Sequence, residues 1–289
     1  MSVAVVTDST AYLPPQLVAT APCHLGVVPL HVVIGGREHR EGVDVDTADL
    51  AGALRAFRPV TTSMPAPGDF AAAYAAAVAS GASEIVSVHI SAELSGTSSG
   101  ASLAAQQAPV PVVVVDSRTI GMALGYAVLA ACHAAATGEQ ADVVAAVAHA
   151  RAAAATVVFY VDTLEHLRRG GRIGAASALL GSALAIKPIL TVRDGRIDAL
   201  EKVRTSARAF ARLVELAVAA GQAAGVEGVD VAIQHLDSAQ RADDLAGMLH
   251  ARVPRVRELV VGELGAVVGA HVGPGTVAVT VSPRAPVAR

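Results

Sequence analysis

The sequence has few aromatic residues and no strong charge of either sign. Tryptophan is absent from its 289 residues, aromatic side chains make up 3%, and the formal net charge is −3. No basic tail and no block of like charge interrupts the chain. Proteins that bind nucleic acids use clustered lysines and arginines and often aromatic platforms for the bases. The composition therefore gives no support for a nucleic acid partner.

Cysteine is also scarce, with only Cys23 and Cys132 and no CxxC motif. A disulfide framework is not expected, and we predict a reducing, cytoplasmic location. The first residues, "MSVAVVTDST", lack the basic segment of a signal peptide and reach an aspartate at position 8. The most apolar long windows, 122–136 and 142–161, contain histidine or charged residues. Neither window is typical of a membrane span, so a soluble protein is expected.

The usual signatures of catalysis are missing as well. The sequence contains no P-loop, HExxH, GxSxG or His/Cys cluster, and no GxGxxG follows its first apolar run. Each of these motifs places specific groups on a phosphate, a metal or a nucleophile. Their absence gives no basis for predicting a nucleotide, a metal or any other cofactor.

Short apolar runs rich in valine alternate with helix-like segments along the chain. The predicted strands cover residues 3–8, 84–90, 111–116, 156–162, 187–192, 229–236, 256–262 and 276–282. The predicted helices cover 69–80, 98–107, 119–136, 141–154, 163–169, 175–185, 205–221 and 238–250. This alternation predicts an α/β fold with mostly parallel sheets covered on both faces. We divide the chain into two α/β lobes, 1–160 and 161–289.

Serines and glycines follow the run "EIVSVHI" in the stretch "SAELSGTSSGASLA" (91–104). A strand, a Gly/Ser turn and a helix N-terminus gather backbone N–H groups and hydroxyls around one point, which suits an anion. The simpler interpretation is a helix cap, because Ser and Thr cap many helices. Both interpretations stay open on this stretch alone.

Other loops carry side chains that suit a binding site. "RPVTTSMPAPGDF" (58–70) exposes hydroxyls in a proline-rich loop, and "LEHLRRGGRIG" (164–174) places Arg172 in a glycine turn after a helix that ends at Gly170. An arginine there could clamp a carboxylate or phosphate. "GAHVGPGTVAV" (269–279) places His271 in a Gly/Pro loop before a strand. "DGRIDALEKVRTSARAF" (194–210) predicts a hairpin with Arg204 at a strand end, either solvated or functional.

Taken in order, these segments resemble the DegV family of bacterial fatty acid-binding proteins. The matching blocks extend over about 270 residues. They are "VTDSTAYLP" (6–14), "TTSMP" (61–65), "LSGTSSGA" (94–101), "VDSRTIGMALG" (115–125), "VDTLEHLRRGGRIG" (161–174), "IKPIL" (186–190), "DGRI…KVRT" (194–205) and "HVGPG" (271–275). Eight spaced blocks are far more specific than any single motif.

The resemblance implies a lipid tunnel between the two lobes that holds one long-chain fatty acid. It implies a carrier without catalysis of its own, which presents the carboxylate to a separate ATP-dependent fatty acid kinase for acyl phosphate formation. It places Thr62 and Ser95 on the carboxylate. The remaining roles implied are turn shaping by Gly96 and Thr97, proximity to the head group for Arg172 and His271, and kinase recognition by Arg204.

The sequence departs from the family pattern at two places near these residues. Met64 and Ala66 stand where the family has a glutamine and a serine, and "LSGTSSGA" lacks a tyrosine and a glutamine of the usual block. Chain preference is therefore open. Two alternatives also stay open. One is a dihydroxyacetone-kinase-like phosphotransfer subunit with a small polar substrate, and the other is a lipid sensor or storage protein without a kinase partner.

Overall fold

The computed structural model describes residues 2–179 and 186–284. The strands are β1 (Val3–Asp8), β2 (Leu25–Val28), β3 (His31–Ile34), β4 (Arg37–Arg40), β5 (Val60–Ser63), β6 (Glu84–His89), β7 (Val112–Asp116), β8 (Thr156–Tyr160), β9 (Lys187–Arg193), β10 (Arg196–Val203), β11 (Val229–His235), β12 (Val256–Glu263) and β13 (Val277–Pro283). The helices are α1 (Pro15–Ala19), α2 (Thr47–Arg55), α3 (Pro67–Ala79), α4 (Thr97–Ala105), α5 (Met122–Ala136), α6 (Ala141–Ala154), α7 (Glu165–Arg169), α8 (Ser206–Ala223), α9 (Ala239–Arg252) and α10 (Ala266–Val272). Short 3-10 helices cover Ser9–Ala11 and Gly174–Leu179.

The first sheet has four strands in the order β2-β1-β6-β7, and all three pairings are parallel. Every residue of β1 is buried, as expected for a central strand with both faces covered. Helices α3 and α4 pack against one face of the sheet and α5 and α6 against the other. The predicted α/β class is confirmed, and so is the parallel arrangement of this sheet.

The second sheet has six strands in the order β10-β9-β8-β13-β11-β12. Only β11 and β12 pair in parallel, and the other four pairings are antiparallel. The expectation of mostly parallel sheets is wrong here. Helices α5 and α6 cover one face and α8 and α9 the other, so its central strands are buried on both sides. A sequence of that kind cannot distinguish the two directions of pairing.

A small antiparallel sheet, in the order β4-β3-β5, has no counterpart among the predicted strands. Each of its strands has only four residues, too few for a clear alternating pattern. Helix α10 packs against this sheet and against α2. The sheet places β5, and with it the "TTS" segment, beside α10.

Helix α10 occupies residues that we expected to form a Gly/Pro loop around His271. That expectation is wrong, because His271 lies in the last turn of α10 and the turn begins only at Gly273. A Cβ atom on Gly269 would come within 2.5 Å of Leu50 Cδ2 on α2. The glycine therefore allows close helix packing, which the sequence alone does not distinguish from a turn.

The hydrophobic core continues from one sheet to the other. One cluster of buried side chains joins Val5 and Val88 of the first sheet to Phe159 and Leu190 of the second through α5 and α6. Strand β8 belongs to the six-stranded sheet, although the division at 160/161 assigned it to the first lobe. The division into lobes stays a prediction, and we propose to move the boundary to residue 155. The predicted helix 175–185 corresponds to a 3-10 helix up to Leu179, and its residues 180–185 lie outside the described part.

Candidate functional site

Two adjoining cavities lie between the sheets. The polar cavity, of about 70 Å³, has Thr62, Ser95, Arg172 and His271 among its lining residues. The apolar cavity, of about 60 Å³, is lined mainly by aliphatic side chains of the six-stranded sheet and by Phe159. The two linings share Leu94, Ile120, Ile197, Val268 and Val272. Together they form a space with a polar end and an apolar end.

Thr62 and His271 meet across the polar cavity. Thr62 lies on β5 opposite Val32 of β3, and its Oγ1 is 2.8 Å from Nε2 of His271. The residue is half-buried, with the exposed Thr61 and Ser63 on either side. The fixed strand conformation and this hydrogen bond hold the hydroxyl at the cavity wall.

Burial and the neighbouring charge of Arg172 lower the pKa of His271 to about 4. The imidazole is therefore neutral at pH 7. Its Nδ1 is buried without a hydrogen-bond partner among the described residues. The ring packs against Gly170, where a Cβ atom would come within 2.0 Å of Nδ1. Any larger residue at position 170 would therefore clash with the imidazole ring of His271.

Ser95 lies in the turn that connects β6 to α4. The N–H groups of Leu94 and Ser95 both donate to the carbonyl of Ser91, which closes the turn. The N-cap of α4 is Gly96, so no hydroxyl caps this helix. Instead Ser95 Oγ lies 2.7 Å from Thr97 Oγ1. The simpler interpretation of this stretch, capping by its serines, is wrong for the N-cap position.

Arg172 follows α7, which ends at Gly170 as predicted. Its Nε donates to the carbonyl of Leu94 at 3.1 Å and its Nη1 to the carbonyl of Gly170 at 2.8 Å. A guanidinium has five N–H donors, so three carry no hydrogen bond to the described residues. By contrast, Arg168 and Arg169 pair with the half-exposed Glu165 and lower its pKa to about 2.

The structure thus brings Thr62, Ser95, Arg172 and His271 to one cavity. Gly96 and Thr97 adjoin Ser95 without lining that cavity. Arg204 is elsewhere, between β10 and α8, exposed and without a hydrogen bond or ion pair to the described residues. The roles assigned to these residues stay predictions. Sequence reasoning missed the aliphatic residues that α10 contributes to the cavity lining. In the sequence these residues are distinguished only by being apolar, which does not separate a cavity lining from an ordinary core.

A buried network beneath the 91–97 turn was also missed. Asp8 accepts hydrogen bonds from the backbone N–H groups of Thr10 and Ile90, both at 3.0 Å, and lies 3.0 Å from Nδ1 of His89. Nε2 of His89 is 2.7 Å from Ser87 Oγ. The arrangement has the order of a Ser-His-Asp triad.

All three side chains are fully buried, and Ser87 Oγ accepts a hydrogen bond from Tyr74. The network therefore has a structural role. It joins the carboxyl ends of β1 and β6 and fixes the start of the turn that carries Ser95.

Across the described ranges, no group of His, Cys, Asp or Glu residues has the geometry of a metal site. Within the same ranges, every helix is too short or too polar to cross a bilayer.

Comparison with known proteins agrees with the resemblance. The chain matches the family described as "Uncharacterised protein, DegV family" over residues 2–284. It is 53% identical over 282 residues to a DegV domain-containing protein of Streptomyces coelicolor, covering 98% of this chain and 99% of the relative. A DegV domain-containing protein of Mycobacterium bovis is 38% identical and 97% of each chain is covered.

Two solved structures share the fold and are described by their ligand. A structure described as "Fatty Acid Binding of a DegV family Protein from Thermus thermophilus" has a TM-score of 0.91 and 34% identity, covering 98% of this chain and 100% of that one. A second, described as "DegV, a fatty acid binding protein from Bacillus subtilis", has a TM-score of 0.88 and 30% identity at the same coverage.

Proposed function

The chain belongs to the DegV family, and from this premise we propose that it binds one long-chain fatty acid between its two sheets. Thr62 and Ser95 hold the carboxylate, and the protein presents it to a separate ATP-dependent fatty acid kinase. The observation that carries the proposal is that the cavity bordered by Thr62, Ser95, Arg172 and His271 lies beside an apolar cavity, with five lining residues in common. Fatty acid binding is described for members of the family whose structures are known.

The two hydroxyls are prepared to donate to a carboxylate. If neutral His271 donates through Nε2 to Thr62 Oγ1, the Thr62 hydrogen is free to point at the ligand. In the same way, if Thr97 donates to Ser95 Oγ, the Ser95 hydrogen is free to point at the ligand. A buried carboxylate needs such donors, because an unpaired buried charge is strongly unfavourable.

Arg172 supplies the charge that complements the carboxylate. The carbonyls of Leu94 and Gly170 hold its guanidinium, so little side-chain entropy is lost when the ligand arrives. A nearby cation favours the ionised form of a carboxyl group. The ligand is therefore bound as the carboxylate, which is also the form that accepts a phosphoryl group.

The acyl chain extends from the polar cavity into the apolar cavity. Burying a methylene is worth about 0.8 kcal/mol, so a chain of about sixteen carbons gains roughly 10 kcal/mol before ordering costs. Ligand pockets usually enclose about 300 Å³ or more, and the two cavities are smaller. Binding therefore displaces side chains that separate them, such as Leu94 and Ile197.

The apolar lining favours this proposal over a phosphotransfer subunit with a small polar substrate, which would need a polar cavity throughout. A lipid sensor or storage protein would use the same cavity and differ only in its partner. Arg204 is the residue that we assign to kinase recognition. On this proposal the protein is a carrier and the chemistry belongs to the kinase.

The first test is denaturing extraction of the purified protein followed by mass spectrometry. One long-chain fatty acid per chain supports the proposal and gives the chain length. A polar metabolite in its place supports the phosphotransfer alternative. A protein that carries nothing and takes up no added fatty acid contradicts the proposal.

The second test combines Thr62→Ala with Ser95→Ala. We expect fatty acid binding to weaken by about 2–4 kcal/mol, because a buried carboxylate loses two donors. Titration of delipidated protein with palmitic acid measures the change. The matched control combines Thr61→Ala with Ser99→Ala, two exposed hydroxyls close in sequence that do not line the cavity. Equal affinity of the test variant and the control would remove the carboxylate assignment.

A further inference from the structure

The wall of the apolar cavity contains a buried amide, Gln234 of β11. The residue exposes only 4% of its surface. It lines the apolar cavity on one side and a larger surface cleft, of about 1080 Å³, on the other. Gln234 therefore stands in the partition between the proposed acyl cavity and the cleft.

The orientation of this amide follows from its contacts. The backbone N–H of Met122, at the start of α5, donates to Gln234 Oε1 at 2.9 Å. Because an N–H group needs an acceptor, the oxygen must face Met122 and Nε2 must face away. A Cβ atom on Gly121 would come within 2.6 Å of Oε1, so this glycine gives the oxygen its space.

The NH₂ group of Gln234 donates no hydrogen bond to any residue in the described ranges. It is also not among the fully enclosed unpaired atoms of those ranges, so a small molecule can reach it. An apolar ligand that covered this donor without giving it a partner would bind less favourably, because buried polar groups are usually paired. The carbonyl side of the amide is satisfied and the donor side is not. The donor is therefore available to something that enters the cavity.

Thr280 provides a second polar group in the same wall. It lies on β13, exposes 2% of its surface, and its hydroxyl makes no hydrogen bond within the part of the chain described. Thr276, which directly precedes β13, also lines the cavity. Its hydroxyl is already paired, because it donates to the carbonyl of Gly273 at 2.8 Å. The rest of the wall is largely aliphatic, with Val157 and Val192 among its members.

We infer that Gln234 and Thr280 form a polar subsite for an oxygen atom on the acyl chain. The preferred ligand is then a long-chain fatty acid with a hydroxyl or oxo group along the chain. An unsubstituted chain would leave the amide N–H₂ and the hydroxyl unpaired, whereas an oxygen at the right carbon accepts from both. This inference rests on the proposed function, because it concerns the far end of the same cavity.

The experiment compares stearic acid with a series of its hydroxy and oxo derivatives, substituted at successive carbons, by titration of the delipidated protein. We expect at least one derivative to bind the wild-type protein about tenfold more tightly than stearic acid. Gln234→Leu and Thr280→Val should each reduce that preference to about threefold or less. Thr280→Val keeps the shape of the side chain and breaks no hydrogen bond among the described residues, so we expect its fold to be retained.

The control is Gln240→Leu, an exposed glutamine on α9 that should leave the preference unchanged. If no derivative binds more tightly than stearic acid, or if the preference persists in both test variants, the polar subsite is wrong. If neither stearic acid nor any derivative binds the wild-type protein, the proposed function fails as well. If stearic acid binds but no derivative binds more tightly, the polar subsite is wrong and the proposed function still holds.

Discussion

At the scale of single residues, His271 shows how burial determines the chemistry of a side chain. The Nε2 atom contacts Thr62 while burial and the charge of Arg172 lower its pKa to about 4. A neutral imidazole can donate to a hydroxyl without adding a second cation to the cavity. On the proposed function, Arg172 then supplies the positive charge for the ligand carboxylate, and His271 adds none.

This pKa predicts how stability depends on pH. The ordinary pKa of histidine is 6.5 and the folded value is about 4, so between these values the unfolded chain binds more protons. The stability due to neutral His271 is complete above pH 6.5 and is lost as the pH falls towards 4, by about 3 kcal/mol. Urea unfolding of the wild type and of His271→Gln at pH 7 and pH 4.5 measures it.

The His271→Gln variant should lose less stability than the wild type over this interval. A control, His133→Gln, changes an exposed histidine on α5 and should follow the wild type. Equal losses in all three proteins would show that His271 titrates normally.

The two departures from the family pattern also act at this scale. Met64 is half-exposed and lies over Gly96, where a Cβ atom would come within 2.8 Å of its sulfur. It lines the polar cavity, so an apolar side chain replaces an amide there. Ala66 is the N-cap of α3 and makes no side-chain cap. Its backbone N–H donates to Asp69 instead, at 2.8 Å.

At the scale of elements, the site depends on the meeting of two short helices. Helix α7 ends at Gly170 and α10 ends just after His271, and the two helices pack against each other. Both helices contribute lining residues to the polar cavity, among them Leu167 of α7 and His271 of α10. Gly170 sets how closely the two helices approach. Neither helix has the length to be stable without tertiary contacts.

Gly170→Ala tests this contact. The φ angle of Gly170 is −73°, so alanine fits the backbone, but its Cβ would come within 2.0 Å of His271 Nδ1. We expect the ring to shift and fatty acid affinity to fall about tenfold, with a loss of about 1–3 kcal/mol in unfolding free energy. Palmitic acid titration and urea unfolding measure the two effects.

Gly68→Ala is the matched control, since nothing lies within 4 Å of the added methyl group in the first turn of α3. It should bind as the wild type does. If Gly170→Ala also binds normally, the position of the imidazole does not matter for the ligand.

At the scale of the whole molecule, the layers alternate between helices and sheets. Helices α3 and α4, the parallel sheet, α5 and α6, the mixed sheet, and α8 and α9 follow one another. The two cavities lie inside this stack, whereas Arg204 lies on its surface. On the proposed function, ligand binding and partner recognition are therefore separated in space.

Arg204→Ala should leave palmitic acid affinity unchanged. Phosphorylation of the bound acid by an ATP-dependent fatty acid kinase should fall about tenfold or more, because an exposed arginine at an interface mainly serves association with a complementary charge. Acyl phosphate formation over time measures the effect. Arg208→Ala, which removes another exposed arginine in the first turn of α8, is the comparison. Equal rates for wild type and Arg204→Ala would remove the partner role.

Much of the fold and the site could be predicted because their signals are local. Long valine-rich runs identified β1, β6 and β11, and Gly170 was predicted as the end of α7. The motifs shared with the family indicated Thr62, Ser95, Arg172 and His271, which lie around one cavity. The four-residue strands of the small sheet were not predicted, since so short a segment carries no clear periodicity.

The sequence by itself determined which residues form the buried strands, where the helix before Arg172 ends, and which family the motifs indicate. These features depend on the local pattern of apolar residues and on the backbone preferences of individual residues, both of which can be seen in short stretches of sequence. Only the tertiary structure decided that β8, β9 and β13 pair antiparallel, that His271 ends a helix, and that Gln234 faces the apolar cavity. Each of these depends on contacts between residues far apart in the chain, and no local pattern encodes such contacts.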